Sequence, residues 1–311
     1  MAVHSQTIDY DQLNTLTERA VMPGVNDAIM RSRSFFRRRY NSGTKLDGGS
    51  VIQCNFRYGE GPGGAYDDGQ ALDTSEVDIV TGAIFQYKYY YASATIRHSD
   101  ELKNRGKHQI GSIWDEKMSQ MEETMKSQLG NALYGSSVVN ALAVNGLADH
   151  VATTGTVGGI SKSLNPWYQA KAVSMSGVPM SPYWLRYGLG LATEDEMTPD
   201  EMYCDQSVYN ILYNLAEPQK RFMDVSEASI GFRNILVENR PVYIDSKGPA
   251  QTLYGLTGKT WDMVTHSDEN MRFQGWERPF GRTSRTSFIF HAWNLICKNP
   301  RFNVVWTSVA S

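Results

Sequence analysis

The chain has 311 residues, 41% hydrophobic and 20% charged, which allows one large domain or two ordinary ones and excludes wholesale disorder. Thirty basic against 33 acidic residues leave a net charge of −3, which argues against a dedicated DNA-binding protein. Three scattered cysteines, Cys54, Cys204 and Cys297, exclude a disulfide framework, and no apolar run approaches the ~18 residues of a membrane span.

The first residues, MAVHSQTIDYDQL, have neither the basic nor the apolar region of a signal peptide, so a soluble, intracellular protein is expected. Residues 1–43 read as an arm. A short helix is expected in YDQLNTLTERAV, with Leu13 and Leu16 on one side and Pro23-Gly24 interrupting it. RSRSFFRRRY follows: Arg31, Arg33, Arg37, Arg38 and Arg39 surround Phe35 and Phe36, with no acid among them. Such a cluster suits a contact with phosphate or with an acidic patch on another subunit; equally, it suits a solvated helix face with both phenylalanines buried.

Residues 44–98 read as a long two-stranded excursion. Ile52, Cys54, Phe56 and Tyr58 alternate with Gln53, Asn55 and Arg57, the period of a strand. The tip GEGPGGAYDDGQ, which carries Tyr66, is dense in glycine and reads as a turn region. A return strand is expected from about Val77 to Ile96, with Phe85, Tyr87 and Tyr89 alternating against Gln86 and Lys88. Twenty extended residues span roughly 65 Å, wider than a small domain. Part of the hairpin is therefore expected to project and gain stability from a neighbouring chain, since a lone hairpin is marginal in water. The alternative is a hairpin folded back on its own domain.

A short polar, helical lead-in over Ser99 to Gly111 is expected next. Ile110 to Tyr134 carries the clearest helix signal. Ile110, Trp114, Met118, Met121, Met125, Leu129 and Leu133 form one apolar stripe, and Glu116, Gln120, Glu123 and Ser127 fall opposite. Ser112 and Asp115 resemble a capping box, and Gly135 stands where a left-handed stop is wanted. At ~1.5 Å per residue the rod is roughly 37 Å long and needs a sheet or helix laid along it. The following stretch contains GGISKS. It does not match a phosphate-binding loop: Lys162 follows Ser161, and Asn165-Pro166 breaks any helix after it.

Residues 180–251 read as alternating helix and strand. PYWLRYGLGLA is expected to be helical. In TPDEMYCDQSVYNILYNLAE the preferred parse is a strand over Glu201 to Cys204, then a helix capped by Asp205 with Val208, Ile211, Leu212 and Leu215 on its stripe; a helix starting at Thr198-Pro199 is the other. RPVYID is a short strand, TLYGLTGKTWDMVTH a hairpin turning at Thr257-Gly258-Lys259, and SFIFHAWNLICKNPRFNVVWTSV two strands around Asn299-Pro300. No catalytic or metal pattern appears. His4, His98, His108, His150, His266 and His291 lack zinc or iron spacing, Cys204 and Cys297 read as buried fillers, and Asp67-Asp68 lack a ring of further ligands.

In this order the elements resemble the major capsid proteins of tailed bacteriophages, with the α+β Hong Kong 97-type fold. The resemblance covers nearly the whole chain. It rests on the basic arm, the long hairpin and the long helix, then on GGISKSLNPWYQA, DQSVYNILYNL with QKRF, NRPVYIDSKGPAQTLYGLTGKTWDMVTH and NLICKNPRFNVVWTSV. It implies an N-terminal arm (1–43), an extended E-loop (44–98), a peripheral domain (99–150 and 252–311) with a spine helix at about 110–134, and an axial domain (151–251).

The function so implied is mechanical and not enzymatic, with no cofactor. Copies of the chain form pentamers and hexamers, and these tile an icosahedral virion shell assembled in the host cytoplasm. The shell encloses DNA without sequence-specific binding, as the mild negative charge suits. Arg31, Arg33, Arg37, Arg38, Arg39, Phe56, Tyr58, Tyr66, Phe85, Tyr87 and Tyr89 are the expected intersubunit contacts. Trp114, Met118, Met121, Met125 and Leu129 form the spine-helix core. A separate scaffolding protein, a portal and, in some members, decoration proteins are the implied partners. Only Lys45 and Lys88 lie within 44–98, so no Lys–Asn cross-link from the hairpin tip is expected. Met1 lies close before the arm, so any scaffold is expected to be a separate chain. The rival readings are an encapsulin-type compartment, a metabolic α+β enzyme, and a decoration or tail protein.

Overall fold

The computed structural model describes residues 34–69, 71–104, 113–220 and 236–310. The short helix around Leu13 and Leu16, Arg31, Arg33, Ile110 and Ser112 lie outside them. The N-terminal half holds α1 (Ser34–Ser42), β1 (Lys45–Leu46), β2 (Ile52–Arg57), β3 (Val80–Phe85), β4 (Lys88–Ile96), α2 (His98–Lys103), α3 (Ile113–Tyr134) and α4 (Leu147–His150). Next come β5 (Thr156–Val157), β6 (Ile160–Ser161), β7 (Lys171–Ser174), α5 (Pro182–Ala192), β8 (Glu201–Cys204) and α6 (Gln206–Lys220). The chain closes with β9 (Leu236–Val237), β10 (Arg240–Ile244), β11 (Leu253–Leu256), β12 (Trp261–His266), β13 (Arg272–Glu277), β14 (Arg285–Cys297) and β15 (Val304–Thr307).

Two sheets organise these elements. A five-stranded sheet holds β1, β12, β14, β13 and β4, and a six-stranded sheet runs β7-β15-β11-β8-β10-β9. The long strand β14 is the hinge of the first: β4 pairs along Arg285 to Trp293 and β12 along Trp293 to Cys297. Helix α3 lies on this sheet. Met121, Met125, Leu129 and Leu133 of its stripe are fully buried with Ala92, Ala94, Ile289 and Trp293, while Trp114 stands edge-on to Trp276 at 4.9 Å. At ~1.5 Å per residue its 22 residues span about 33 Å. Gly135 ends the helix, yet without a left-handed backbone: its N–H closes a tight turn on the Ala132 carbonyl at 3.1 Å.

The expected return strand of twenty residues is two strands in two places. β3 pairs with β2, whereas β4 joins β14. The break falls at Gln86-Tyr87, where Asn294 Nδ2 donates to the Gln86 carbonyl at 2.8 Å. The buried parity changes just after it, past Tyr87. Phe85 and Tyr87 point inward, then Ala92, Ala94 and Ile96 do, so Tyr89 and Tyr91 face water. A reading by alternation alone placed Tyr89 with Phe85 and Tyr87, and that placement is corrected.

The stretch TLYGLTGKTWDMVTH is not a hairpin. β11 is flanked on both sides, by β8 and β15, so β12 has no free edge there and crosses to the other sheet. β14 and β15 part in the same way. One buried side chain ties both crossings: Asn303 Oδ1 accepts from Thr257 N (3.0 Å) and Trp261 Nε1 (2.9 Å), and its Nδ2 donates to the Asn299 carbonyl at 3.1 Å. Strands β11 and β15, numbered after residue 251, thus belong to the sheet of β7, β8 and β10, and a boundary at 251/252 does not separate the sheets.

The second core lies between this sheet and helices α5 and α6. The preferred parse of 198–217 holds: β8 ends at Cys204 and Asp205 Oδ1 caps α6 by accepting from Val208 N at 3.0 Å. In α5, Gly188 sits against Trp306; a Cβ there would lie 2.4–2.7 Å from the indole ring. That ring is pinned by Trp306 Nε1 donating to the Trp184 carbonyl at 3.0 Å. Gly188→Ala is therefore expected to cost about 1–3 kcal/mol by overpacking, despite the better helix propensity of alanine. Gly190→Ala, with open space around it, is expected to gain up to about 1 kcal/mol. Urea denaturation of both variants separates packing from propensity.

Candidate subunit-contact surfaces

Arg38 and Arg39 of the arm meet partners in their own chain. Phe35 and Phe36 of α1 are buried in the core of α3, which orients the next turn toward β8. There the Glu201 carboxylate takes Arg38 Nη1 at 2.7 Å, Arg39 Nη2 at 2.6 Å and the Tyr203 hydroxyl at 2.7 Å. Arg39 Nη1 also donates to the Gly258 carbonyl at 2.6 Å, and Arg38 donates to the Tyr243 hydroxyl. Asp245, itself buried, accepts from Phe35 N at 3.4 Å and from the Tyr134 hydroxyl at 3.0 Å, joining α1 to the end of α3. The expectation that Arg39 reaches a second subunit is corrected: its buried guanidinium is taken by a carboxylate 162 positions away in the same chain. Arg38 meets the same carboxylate, 163 positions away, with its side chain 41% exposed.

The aromatic contacts divide. Phe56, Phe85 and Tyr87 are buried at the base of the hairpin, against Val157, Ile160, Tyr168, Val264 and Ile296 of their own chain. Those three are corrected from contact to core residues. Tyr58 is exposed and stacks on Trp167 at 5.5 Å. Tyr66 and Tyr89 are free surface, 69% and 74% exposed. Both readings of the hairpin thus apply to different parts of it: the base folds back, and residues 60–78, apart from Gln70, stand in solvent.

Three further apolar surfaces escaped the sequence reading. Val138, Val139 and Leu142, just past α3, lie almost fully exposed; Leu142 and Tyr89 line one groove of about 430 Å³. On α5, Tyr183, Tyr187 and Leu191 form an outward stripe at a spacing of four. Between β13 and β14, Phe280 projects fully into solvent. Only the last had a signal, the turn-forming Pro279–Gly281 flanking an aromatic.

Burial pushes the thiols of Cys204 and Cys297 up to about 12, so both stay protonated. Lys162 is buried, with its pKa lowered to about 8 by burial, and donates to the carbonyls of Asp149, His150 and Ala152 at 2.6, 2.6 and 3.1 Å. It holds a loop and not a phosphate. Among the described residues no group of three or more His, Cys, Asp or Glu is placed to hold a metal, and no helix is long and apolar enough to cross a membrane.

No protein-family model matches the sequence, and no curated protein matches it in sequence. Solved structures do match in fold. The capsid asymmetric unit of cyanophage A-1(L) aligns with a TM-score of 0.73 at 13% identity, over 97% of this chain and 99% of that one. The capsid of a native GTA particle gives 0.66 at 10% identity, over 99% and 100%. The holo-SrpI encapsulin complex from Synechococcus elongatus gives 0.62 at 10%, over 96% and 95%.

Proposed function

We propose, from the α+β Hong Kong 97-type capsid fold that the chain has, that the protein is the major capsid protein of a tailed bacteriophage. Copies assemble into pentamers and hexamers that close an icosahedral head shell around DNA. The observation that carries this is end-to-end likeness: the match spans 97% of this chain and 99% of the cyanophage capsid chain. The role is mechanical. The exposed loop at 58–79, the patch at Val138, Val139 and Leu142 and the α5 stripe supply the contacts, each repeated by symmetry. Residues 34–43 of the arm brace the subunit's own core, and residues 44–98 form the E-loop. The five-stranded sheet with α3 is the peripheral body; the six-stranded sheet with α5 and α6 is the axial one. A separate scaffolding protein, a portal and decoration proteins complete the head, which is assembled in the host cytoplasm.

Negative-stain electron microscopy with sedimentation velocity on the purified chain tests this. Closed shells, or rings of five and six, are expected. A uniform monomer or dimer across concentration and salt overturns it. Packaged protein cargo in place of DNA selects the encapsulin-type reading, which the likeness to the SrpI shell favours second. Replacing residues 61–69 by a glycine-serine linker of equal length is expected to leave the melting temperature unchanged, because those residues are exposed, and to abolish shells.

A further inference from the structure

Two Asn-Pro turns meet at the root of the hairpin, Asn165-Pro166-Trp167-Tyr168 and Asn299-Pro300-Arg301-Phe302. Each proline opens one short turn, for which its fixed φ is suited. Each turn closes with the same backbone bond: Gln169 N donates to the Pro166 carbonyl at 3.2 Å, and Asn303 N to the Pro300 carbonyl at 3.0 Å. The residue after proline, Trp167 in one and Arg301 in the other, therefore reaches a common pocket of about 650 Å³. That volume suits a small molecule.

The pocket joins an aromatic stack to a set of cations. Tyr58 stacks on Trp167 with ring centres 5.5 Å apart and planes 22° from parallel. The Tyr58 hydroxyl donates to the Asp78 carbonyl at 2.7 Å, and Trp167 Nε1 to Asn165 Oδ1 at 3.2 Å, so both rings are held before anything binds. Tyr58 is exposed, which leaves the stack open to solvent. Lys298, Arg301 and Arg57 line the same pocket, against one carboxylate, Glu60. Lys298 Nζ meets Asp262 Oδ2 at 3.1 Å and Arg301 Nε meets Glu194 Oε2 at 3.2 Å, both in contact with solvent. Such pairs are weak, and each cation keeps further donors. Among the described residues Arg57 forms no ion pair. A stack alone suits any flat ring, and cations alone suit any anion. Together in one pocket they fit a flat heterocycle that carries phosphate.

We infer that this pocket binds a nucleoside 5′-phosphate, its base continuing the Tyr58–Trp167 stack and its phosphate held by Lys298, Arg301 and Arg57. The group comes from a free nucleotide or from the phosphorylated end of a nucleic-acid strand. The inference goes beyond the shell reading and does not rest on it, since every lining residue belongs to one chain.

Isothermal titration calorimetry on the full chain tests it, with adenosine 5′-monophosphate, adenosine and inorganic phosphate as probes. The monophosphate is expected to bind about tenfold or more tighter than either fragment, and more weakly as salt rises. Tyr58→Ser, and Lys298→Gln with Arg301→Gln, are each expected to weaken it about tenfold with an unchanged melting temperature. The charge variant should also flatten the salt dependence, which Tyr58→Ser should not. Tyr58→Phe keeps the ring and should bind like the wild type. A short deoxyadenosine strand with a 5′-phosphate then separates the sources. Binding that Tyr58→Ser weakens assigns the site to strand ends, and no such binding assigns it to the free nucleotide. A monophosphate that gives no saturable heat up to millimolar concentration overturns the inference. So does an affinity unchanged in either variant, or adenosine or phosphate binding as tightly as the monophosphate.

Discussion

Lowering the pH from about 6.5 to about 4 is expected to destabilise the folded subunit by about 3 kcal/mol for each of two buried histidines. His150 is enclosed between the rings of Phe85 and Trp261, at 6.0 and 5.5 Å, and its Nε2 meets the Leu295 carbonyl at 3.0 Å. His291 lies under Tyr40 and beside Trp293, and its Nδ1 accepts from Met271 N at 3.3 Å. Each ring keeps one nitrogen without a partner, Nδ1 of His150 and Nε2 of His291. Burial is the first cause that pushes both pKa values down to about 4, with the Lys162 ammonium adding to it at His150. The sign follows. Above pH 6.5 both states hold neutral rings and nothing is lost. Below it the unfolded chain takes up protons that the folded chain refuses, and the loss grows until the folded rings also charge near pH 4. Urea denaturation at pH 7, 5.5 and 4.5 measures it. Carboxylates add their own acid dependence, so the decisive comparison is with His150→Gln/His291→Gln, whose stability should fall distinctly less over the same range. An equal slope in wild type and double variant removes the histidines as its source.

Glu201→Ala is expected to cost about 3–5 kcal/mol, the penalty for leaving a buried charge without its partner. Arg39 carries most of it, since its side chain is 8% exposed against 41% for Arg38. The Arg38 pair, in contact with solvent, adds little. With the carboxylate gone, Arg39 keeps the Gly258 carbonyl and the Phe35 ring but no anion, and α1 loses its bond to β8. Trypsin should then cut at Arg38 and Arg39 faster than in the wild type. Glu201→Gln, which keeps an acceptor without the charge, should fall between. A variant within about 0.5 kcal/mol of wild type would place this clamp with ordinary surface pairs. The effect bears on assembly, because the arm is braced before any second copy is met.

The legible parts of the chain were those whose signal is local. The stripe from Trp114 to Leu133 repeats at the helical period, so its buried face could be named residue by residue. Asp205 lies one position before α6 and three before its apolar run, where a carboxylate can take the exposed N–H groups of the first turn. Ile52 and Phe56 alternate inward in β2 as the period of two requires. The proposed contact residues were less legible. A run of arginines reads alike whether its carboxylate sits on another subunit or 162 positions along the same chain. Phe85, Tyr87 and Tyr89 look equivalent in sequence, yet the step between two sheets at Gln86 sends the first two into a core and the third into water.

The sequence by itself determined helices α3, α5 and α6, the Asp205 cap, most of the strands and the order that carries the family resemblance, because periodicity and capping act over a few residues of neighbouring backbone. Only the tertiary structure decided which sheet each strand joined, that the inward face changes between Tyr87 and β4, that Glu201 claims Arg38 and Arg39, and which aromatics remain for contact. Those outcomes depend on backbone hydrogen bonds that carry no side-chain signature, and on partners brought together by chain crossings such as the one Asn303 ties.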